Sequence, residues 1–395
     1  MGFKHAIVLA AGEGERLRPF TASKPKVMIK VANKPILQYV VEALERNAIR
    51  RIIFVVGYKK EKIMDHFEDG KNFGVEIEYV LQKHPLGTGD ALKQAENKAD
   101  EHFLVLSGDN VIEADTISDS GLLEMEKDEN AMLIKAHEDV SKYGVAIVKD
   151  GILEDIIEKP SEEVSNLVNT GIYTFKKEVF AFMDQELTTA LKNMILLGNR
   201  INACTTRGLW LDAVYPWDIL RLNAIILNTN PAKLEGKIEH GVTIEGAVSI
   251  GKKSVIRANS YLKGPVIIGD NCEIGPNACV FPSTSIGNEV TIGTFTEIRN
   301  SVLMDGVEIG SYSSIHDSVL DTGSFVEGGF IARSNEADIE IGGEHDLVHI
   351  GAIVGEYTEI GSNVIARPGT MIGNRCRINS MKVLSGKIPD GSWVV

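Results

Sequence analysis

From Ile238 to Ile298, every sixth residue of this chain is aliphatic. The positions that follow are Ile244, Ile250, Ile256, Leu262, Ile268, Ile274, Val280, Ile286, Ile292 and Ile298, and Gly251, Gly269, Gly275, Gly287 and Gly293 each come directly after one of them. Few folds tolerate such a period. A sandwich strand alternates with period two and a helix with period 3.6, so neither asks for one inward aliphatic per six residues. Three hexads close one triangular coil of a parallel β-helix, and stacking buries the aliphatics that no single coil can bury alone. The frame slips near Met304 and returns at Val354, Ile360, Ala366, Ile372 and Ile378. The stretch "EGGFIARSNEADIEIGGEHD" breaks the period and reads as a loop thrown out from one coil.

Ahead of the repeat the texture is different. "AIVLAAG", "IIFVVGY", "VEIEYVL", "FLVLSGDN" and "AMLIKAH" read as strands, and "PILQYVVEALERNA" and "GTGDALKQAENKA" between them have helical spacing. This alternation predicts an α/β, Rossmann-like domain with a mixed, mainly parallel sheet and helices on both faces. Ligands of such sheets bind at the carboxyl ends of strands, where a glycine loop and "SGDN" both fall. At 395 residues the chain exceeds what one core usually organises. Two domains are expected, 1–228 and 229–395.

The net charge of −14 argues against nucleic acid and anionic membrane as partners, since both are polyanions. No stretch approaches the roughly 18 apolar residues that span a bilayer, and the N-terminus lacks a signal-peptide pattern. Cys204, Cys272, Cys279 and Cys376 contain no CxxC pair and read as reduced thiols, with a bridge between Cys272 and Cys279 the one alternative left open. A cytoplasmic protein is expected.

"GEGERLRPFTASKPK" follows the first apolar run. A glycine-rich turn between strand and helix exposes backbone N–H groups to phosphate oxygens, and Arg16 and Lys26 add positive charge. The string resembles the signature of the sugar-1-phosphate nucleotidylyltransferases, G-x-G-T-R-L-x-P-x-T-x-x-x-P-K, and departs from it at Glu15, where that family usually has Thr. The resemblance continues in order through "KPIL", "LQKHPLGTGDAL", "SGDN", "KYGVAIV", "IIEKP", "NTGIY" and "WLDAVYPWDILRLN". Many members of the family continue into a left-handed parallel β-helix.

The resemblance implies in-line attack of a sugar-1-phosphate on the α-phosphorus of a nucleoside triphosphate, with pyrophosphate leaving. It places Arg16 and Lys26 as catalytic cations and Asp109 and Asp212 as ligands of Mg²⁺. Leu9, Ala11, Gly12, Gly14, Gln82, Gly87 and Thr88 fall to the nucleotide. Tyr143, Gly144, Glu158, Lys159, Asn169 and Gly171 fall to the sugar phosphate. The Gln82 amide can pair with uracil or thymine, so UTP or dTTP is expected. A carboxylate at Glu15 should weaken nucleotide binding by about 1 kcal/mol or more unless it points outward or pairs with a cation such as Arg18.

In bifunctional relatives the β-helix acetylates an amino-sugar-1-phosphate. Here Ser311 and Ser314 stand where those enzymes have His and Tyr, and Ser324 where they have Asn. His316 is nearby. A second, acetyltransferase activity and a catalytically weak, nucleotide-sugar-binding regulatory protein are the alternatives. Flat-sided β-helices commonly trimerise, so a homo-oligomer, preferably a trimer, is expected.

Overall fold

The protein is described here from a computed structural model, which covers residues 3, 5–124, 129–160, 162 and 164–395. It divides into two compact units. The first comprises Met1–Glu13, Lys24–Met28 and Ile36–Asp212, and the second comprises Gly14–Ser23, Ile29–Pro35 and Ala213–Val395.

The first unit is built on a nine-stranded mixed sheet. Its order is Glu76–Leu81, Arg51–Val56, His5–Ala10, His102–Ser107, Leu167–Lys176, Asn130–Ala136, Ile201–Thr205, Ile152–Glu158 and Gly144–Lys149. The first four strands run parallel, and Leu167–Lys176 enters antiparallel to both its neighbours. The central runs "HAIVLA" and "RIIFVV" are almost continuously apolar because both faces are covered. Helix Ile36–Arg46 buries Ile36, Leu37, Val40, Val41 and Leu44 along one stripe, the spacing that sends a helix face into a core.

The second unit carries the repeat as three long parallel sheets, the expected left-handed β-helix. Ile268 pairs with Ile286, 18 residues on, so one inward aliphatic per hexad stacks directly on the next coil's. Corners need left-handed backbone, which Asn tolerates, and Asn259, Asn271 and Asn277 supply it with φ of 60°, 57° and 56°. The frame slip is a corner shortened by one residue in two successive coils. Ile286 pairs with Leu303, only 17 residues on, and Leu303 with Leu320. The irregular stretch differs from the expected loop: Ile331–Ala332 still belongs to a coil, and the excursion is an antiparallel hairpin of Asn335–Ile341 and Glu344–Ile350. Its ends return the chain to register, since Leu320 pairs with Val354 across it.

All four cysteines are free thiols, including Cys272 and Cys279. No described helix is long and apolar enough to cross a membrane.

Ile298 is fully buried in the β-helix core between Val280 and Ile315. Ile298→Ala should cost about 2–5 kcal/mol. Calorimetry should show the unfolding transition of the second unit moving to lower temperature.

Candidate active site

The glycine loop leaves the sheet at the carboxyl end of His5–Ala10, beside the end of His102–Ser107, and the Gly108 N–H donates to the Leu9 carbonyl at 2.9 Å. The Ala11 carbonyl accepts from the Tyr58 N–H, which fixes the loop's first residue. A Cβ at Gly12 would meet nothing within 4 Å, so the space beyond that backbone is open.

Two carboxylates and one ammonium converge at this edge. Lys26 Nζ lies 2.7 Å from Asp109 Oδ2 and 2.6 Å from Asp212 Oδ1. The two aspartates come from segments a hundred residues apart in sequence, and a short antiparallel ribbon brings them together. Asn110–Ile112 pairs with Trp210–Asp212 so that Asp212 stands opposite Asn110, one residue from Asp109. The ribbon is tied down twice: Trp210 Nε1 and Asn110 Nδ2 both donate to the Thr170 carbonyl, at 2.9 and 3.2 Å. Burial alone would push Lys26 toward its neutral form. The charges of Asp109 and Asp212 outweigh that and hold the ammonium above the ordinary lysine range.

Both oxygens that reach Lys26 can therefore converge on one cation. Two hard carboxylate oxygens are a fitting donor set for a small divalent ion that completes its shell with phosphate and water. Among the described residues, no group of three or more His, Cys, Asp or Glu side chains is placed to hold a metal by itself. An ion here would take its remaining ligands from substrate or solvent.

The residues expected at the base lie together. Gln82 is buried, and its side chain reaches the Gly87 carbonyl. The Thr88 hydroxyl is engaged within the protein, donating to Glu186 at 2.9 Å and accepting from the Leu187 N–H. The residues expected at the sugar line a second group of strands. Gly144 pairs with Glu158, and a Cβ at Gly144 would stand 2.9 Å from the Glu158 carboxylate. The exposed Lys159 donates its backbone N–H to the Tyr143 carbonyl. Tyr143 packs edge-on against Trp210, with ring centres 5.4 Å apart. Asn169 accepts from the Gly171 N–H at 3.0 Å and bonds the buried Tyr173 hydroxyl. Gly171 has φ of 74°, and a Cβ there would meet Ser107 Oγ at 2.6 Å, so only glycine fits.

Gly14 and Arg16 belong to the second unit. The Gly14 carbonyl accepts from Thr21 Oγ1 at 2.9 Å. Arg16 Nη2 lies 3.7 Å from Glu344 of the hairpin, and Glu15, Arg16, Arg18 and Lys387 share a cavity of about 310 Å³. The Glu15 side chain is exposed. In the β-helix, His316 Nε2 lies 3.1 Å from Glu297 Oε1 and 3.3 Å from Ser314 Oγ, while Ser324 is buried with its hydroxyl on the Asp321 and Gly355 carbonyls.

Sequence reasoning did not single out Trp210, Asn110, Ser107, Asp90 or Glu186. Each acts by holding a chosen residue in place across a distance that only the fold closes. Trp210, Asn110, Ser107 and Asp90 did stand within quoted motifs, and Glu186 did not.

An α/β sheet with a glycine loop, a largely buried lysine and two facing carboxylates at its carboxyl edge suits a nucleotide-binding, phosphoryl-transferring class. Residues 5–227 match the family described as Nucleotidyl transferase, and residues 262–334 match the GMPPB C-terminal domain. The Bifunctional protein GlmU of Methanococcus maripaludis is 35% identical over 98% of this chain and 96% of its own length. A Bifunctional sugar-1-phosphate nucleotidylyltransferase/acetyltransferase of Sulfurisphaera tokodaii is 31% identical over 98% of this chain and 99% of its own. The solved structure of a Putative Glucose-1-Phosphate Thymidylyltransferase from Bacillus anthracis is 26% identical, with a TM-score of 0.53 over 58% of this chain and 97% of that one. The chain belongs to the sugar-1-phosphate nucleotidyltransferase family and is a transferase. The family uses a divalent metal ion.

Lys26→Met removes the cation between Asp109 and Asp212 and should lower stability by about 3 kcal/mol, because it leaves two carboxylates facing each other. Added Mg²⁺ should raise the melting temperature of this variant more than that of the wild type. In the wild type the folded-state value of Lys26 lies above the unfolded one. The contribution of the three charges is therefore complete below about pH 10.4 and is lost as pH rises through the folded value. Melting curves across alkaline pH test this.

Proposed function

We propose that this protein transfers a nucleotidyl group from UTP or dTTP to a sugar-1-phosphate. A phosphate oxygen of the sugar-1-phosphate attacks the α-phosphorus, the bond from that phosphorus to the bridging oxygen breaks, and pyrophosphate leaves with the electron pair. The observation that carries the reading is the ammonium of Lys26, held by Asp109 and Asp212 at the open end of the glycine loop. Two anions must meet, so fixed positive charge and N–H donors should supply most of the rate enhancement.

Lys26 neutralises phosphate oxygens, and its two aspartates keep it charged and aimed. Arg16 and the backbone of Leu9, Ala11, Gly12 and Gly14 hold the triphosphate. Asp109 and Asp212 would hold Mg²⁺, which when bound would supply Lewis-acid stabilisation of phosphate charge. Gln82, Gly87 and Thr88 face the base. Tyr143, Gly144, Glu158, Lys159, Asn169 and Gly171 hold the sugar phosphate, Lys159 by its charge and Glu158 by bonds to sugar hydroxyls. In this reading the catalytic domain is 1–228 and the β-helix domain 229–395.

The β-helix assembles copies of the chain, preferably as a trimer. Ile331, Ile365 and Val383 stack on one outward sheet face at 36%, 40% and 60% exposure, an aliphatic ladder unsuited to water. A second reading, acetyl transfer to an amino-sugar-1-phosphate, is favoured by the carboxylate beside His316, which would orient it as a base. Release of coenzyme A from acetyl-CoA and glucosamine-1-phosphate, lost in His316→Ala, is its test.

Pyrophosphate should appear with UTP or dTTP plus glucose-1-phosphate or N-acetylglucosamine-1-phosphate, and a chelator should stop it. Lys26→Met and Asp109→Asn should each lower kcat/KM by about 100-fold or more. Pyrophosphate from none of these mixtures overturns the reading. Glu15→Thr should lower KM for the nucleotide, and an unchanged or higher KM counts against the expected repulsion.

A further inference from the structure

We propose that Asp90 decides which nucleobase the site accepts, by fixing the rotation of the Gln82 side-chain amide. The inference rests on the reading of Gln82 as the residue that faces the base. Gln82 Nε2 donates twice, to the Gly87 carbonyl at 3.0 Å and to Asp90 Oδ2 at 2.8 Å. An amide nitrogen has two hydrogens, and a carbonyl and a carboxylate can only accept. Both hydrogens are therefore committed. Turning the amide over would set Oε1 against two acceptor oxygens, so the group is locked with Oε1 as the atom it offers to a ligand. The bond to Asp90 is the charge-assisted one and the stronger half of the lock.

Asp90 is itself held. Its Oδ1 accepts from Gln94 Nε2 at 3.1 Å, and its backbone N–H, like that of Gly89, donates to the Gln185 carbonyl. A Cβ at Gly87 would meet the Gln185 carbonyl oxygen at 2.3 Å, and one at Gly89 the Asp184 carbonyl oxygen at 2.5 Å. The chain from 87 to 90 thus lies directly against residues 184–186 and has little room to shift.

A fixed acceptor discriminates among bases by where they carry hydrogen. Uracil and thymine present N3–H on the pairing edge, and guanine presents N1–H there. Cytosine and adenine present a bare ring nitrogen, whose lone pair would face the Oε1 lone pair. A glutamine free to rotate could serve either group. Locked by Asp90, it accepts imide-type bases and rejects cytosine and adenine, because a mismatched base leaves buried polar atoms unpaired. Asp90 is a positioning residue and needs no contact with the nucleotide.

The test compares kcat/KM for UTP, dTTP and CTP with one sugar-1-phosphate in the wild type, Asp90→Asn and Asp90→Ala. The wild type should prefer UTP or dTTP over CTP by about 100-fold or more. Asp90→Ala, which removes the acceptor, should lose about tenfold or more of that ratio, and Asp90→Asn, whose amide oxygen can still accept from Gln82, should keep more of it than Asp90→Ala does. A merely structural role for Asp90 would lower all three nucleotides in parallel and leave the ratio standing. A ratio within about twofold of wild type in folded Asp90→Ala overturns the proposal, as does a wild type indifferent to UTP against CTP. Asp90→Asn is nearly isosteric, and a melting curve establishes that each variant is folded. A wild type that releases pyrophosphate from none of the three overturns the functional reading itself, an outcome distinct from lost discrimination alone.

Discussion

In the proposed reaction, everything depends on one ammonium kept charged between two carboxylates, Lys26 between Asp109 and Asp212. Taking Lys26 out of water disfavours its charge, and without Asp109 and Asp212 it would be a poor partner for phosphate. A buried ion group of this kind is a weak source of stability, since desolvation consumes much of the attraction. In the proposed reaction its value is preorganisation: the cation is already charged and already aimed before an anion arrives.

That arrangement rests on the register of a very short ribbon. Asp212 faces Asn110, and a slip of one residue would turn its carboxylate to the other face. Trp210 and Asn110 prevent the slip by sharing the Thr170 carbonyl. Thr170 sits between Asn169 and Gly171, so the strand proposed to hold the sugar and the ribbon that carries the acids form one frame. The backbone of Gly171 also closes onto Ser107, at the end of the strand that leads to Asp109. Within the first unit, the groups proposed for both reactants are therefore tied to the segment around the Thr170 carbonyl.

The β-helix shows how a strict repeat absorbs irregularity. Dropping one residue at a corner leaves Leu303 and Leu320 stacked in the core, because the corner takes up the loss and the inward position is kept. The hairpin of residues 335–350 leaves and rejoins the coil without disturbing the stack from Leu320 to Val354. The excursion also acquires partners of its own, with Glu344 near Arg16 and hydrogen-bonded to Tyr215.

Periodicity and motif order were enough to read both folds from the residues: a six-residue aliphatic repeat admits almost only a β-helix, and alternating apolar and amphipathic runs imply a parallel sheet. They also named Lys26, Asp109 and Asp212 as candidates, since polyanion chemistry needs cations and hard oxygens near a glycine loop. What they could not supply was distance and rotation. That Lys26 lies within hydrogen-bond reach of both acids, that Gln82 donates to Asp90, and that the irregular stretch is a hairpin were decided by the tertiary structure. The reason is physical: the contacts of Lys26 join residues 83 and 186 apart along the chain, while Gln82 and Asp90, only eight apart, meet through side-chain rotation, and neither is encoded in local spacing.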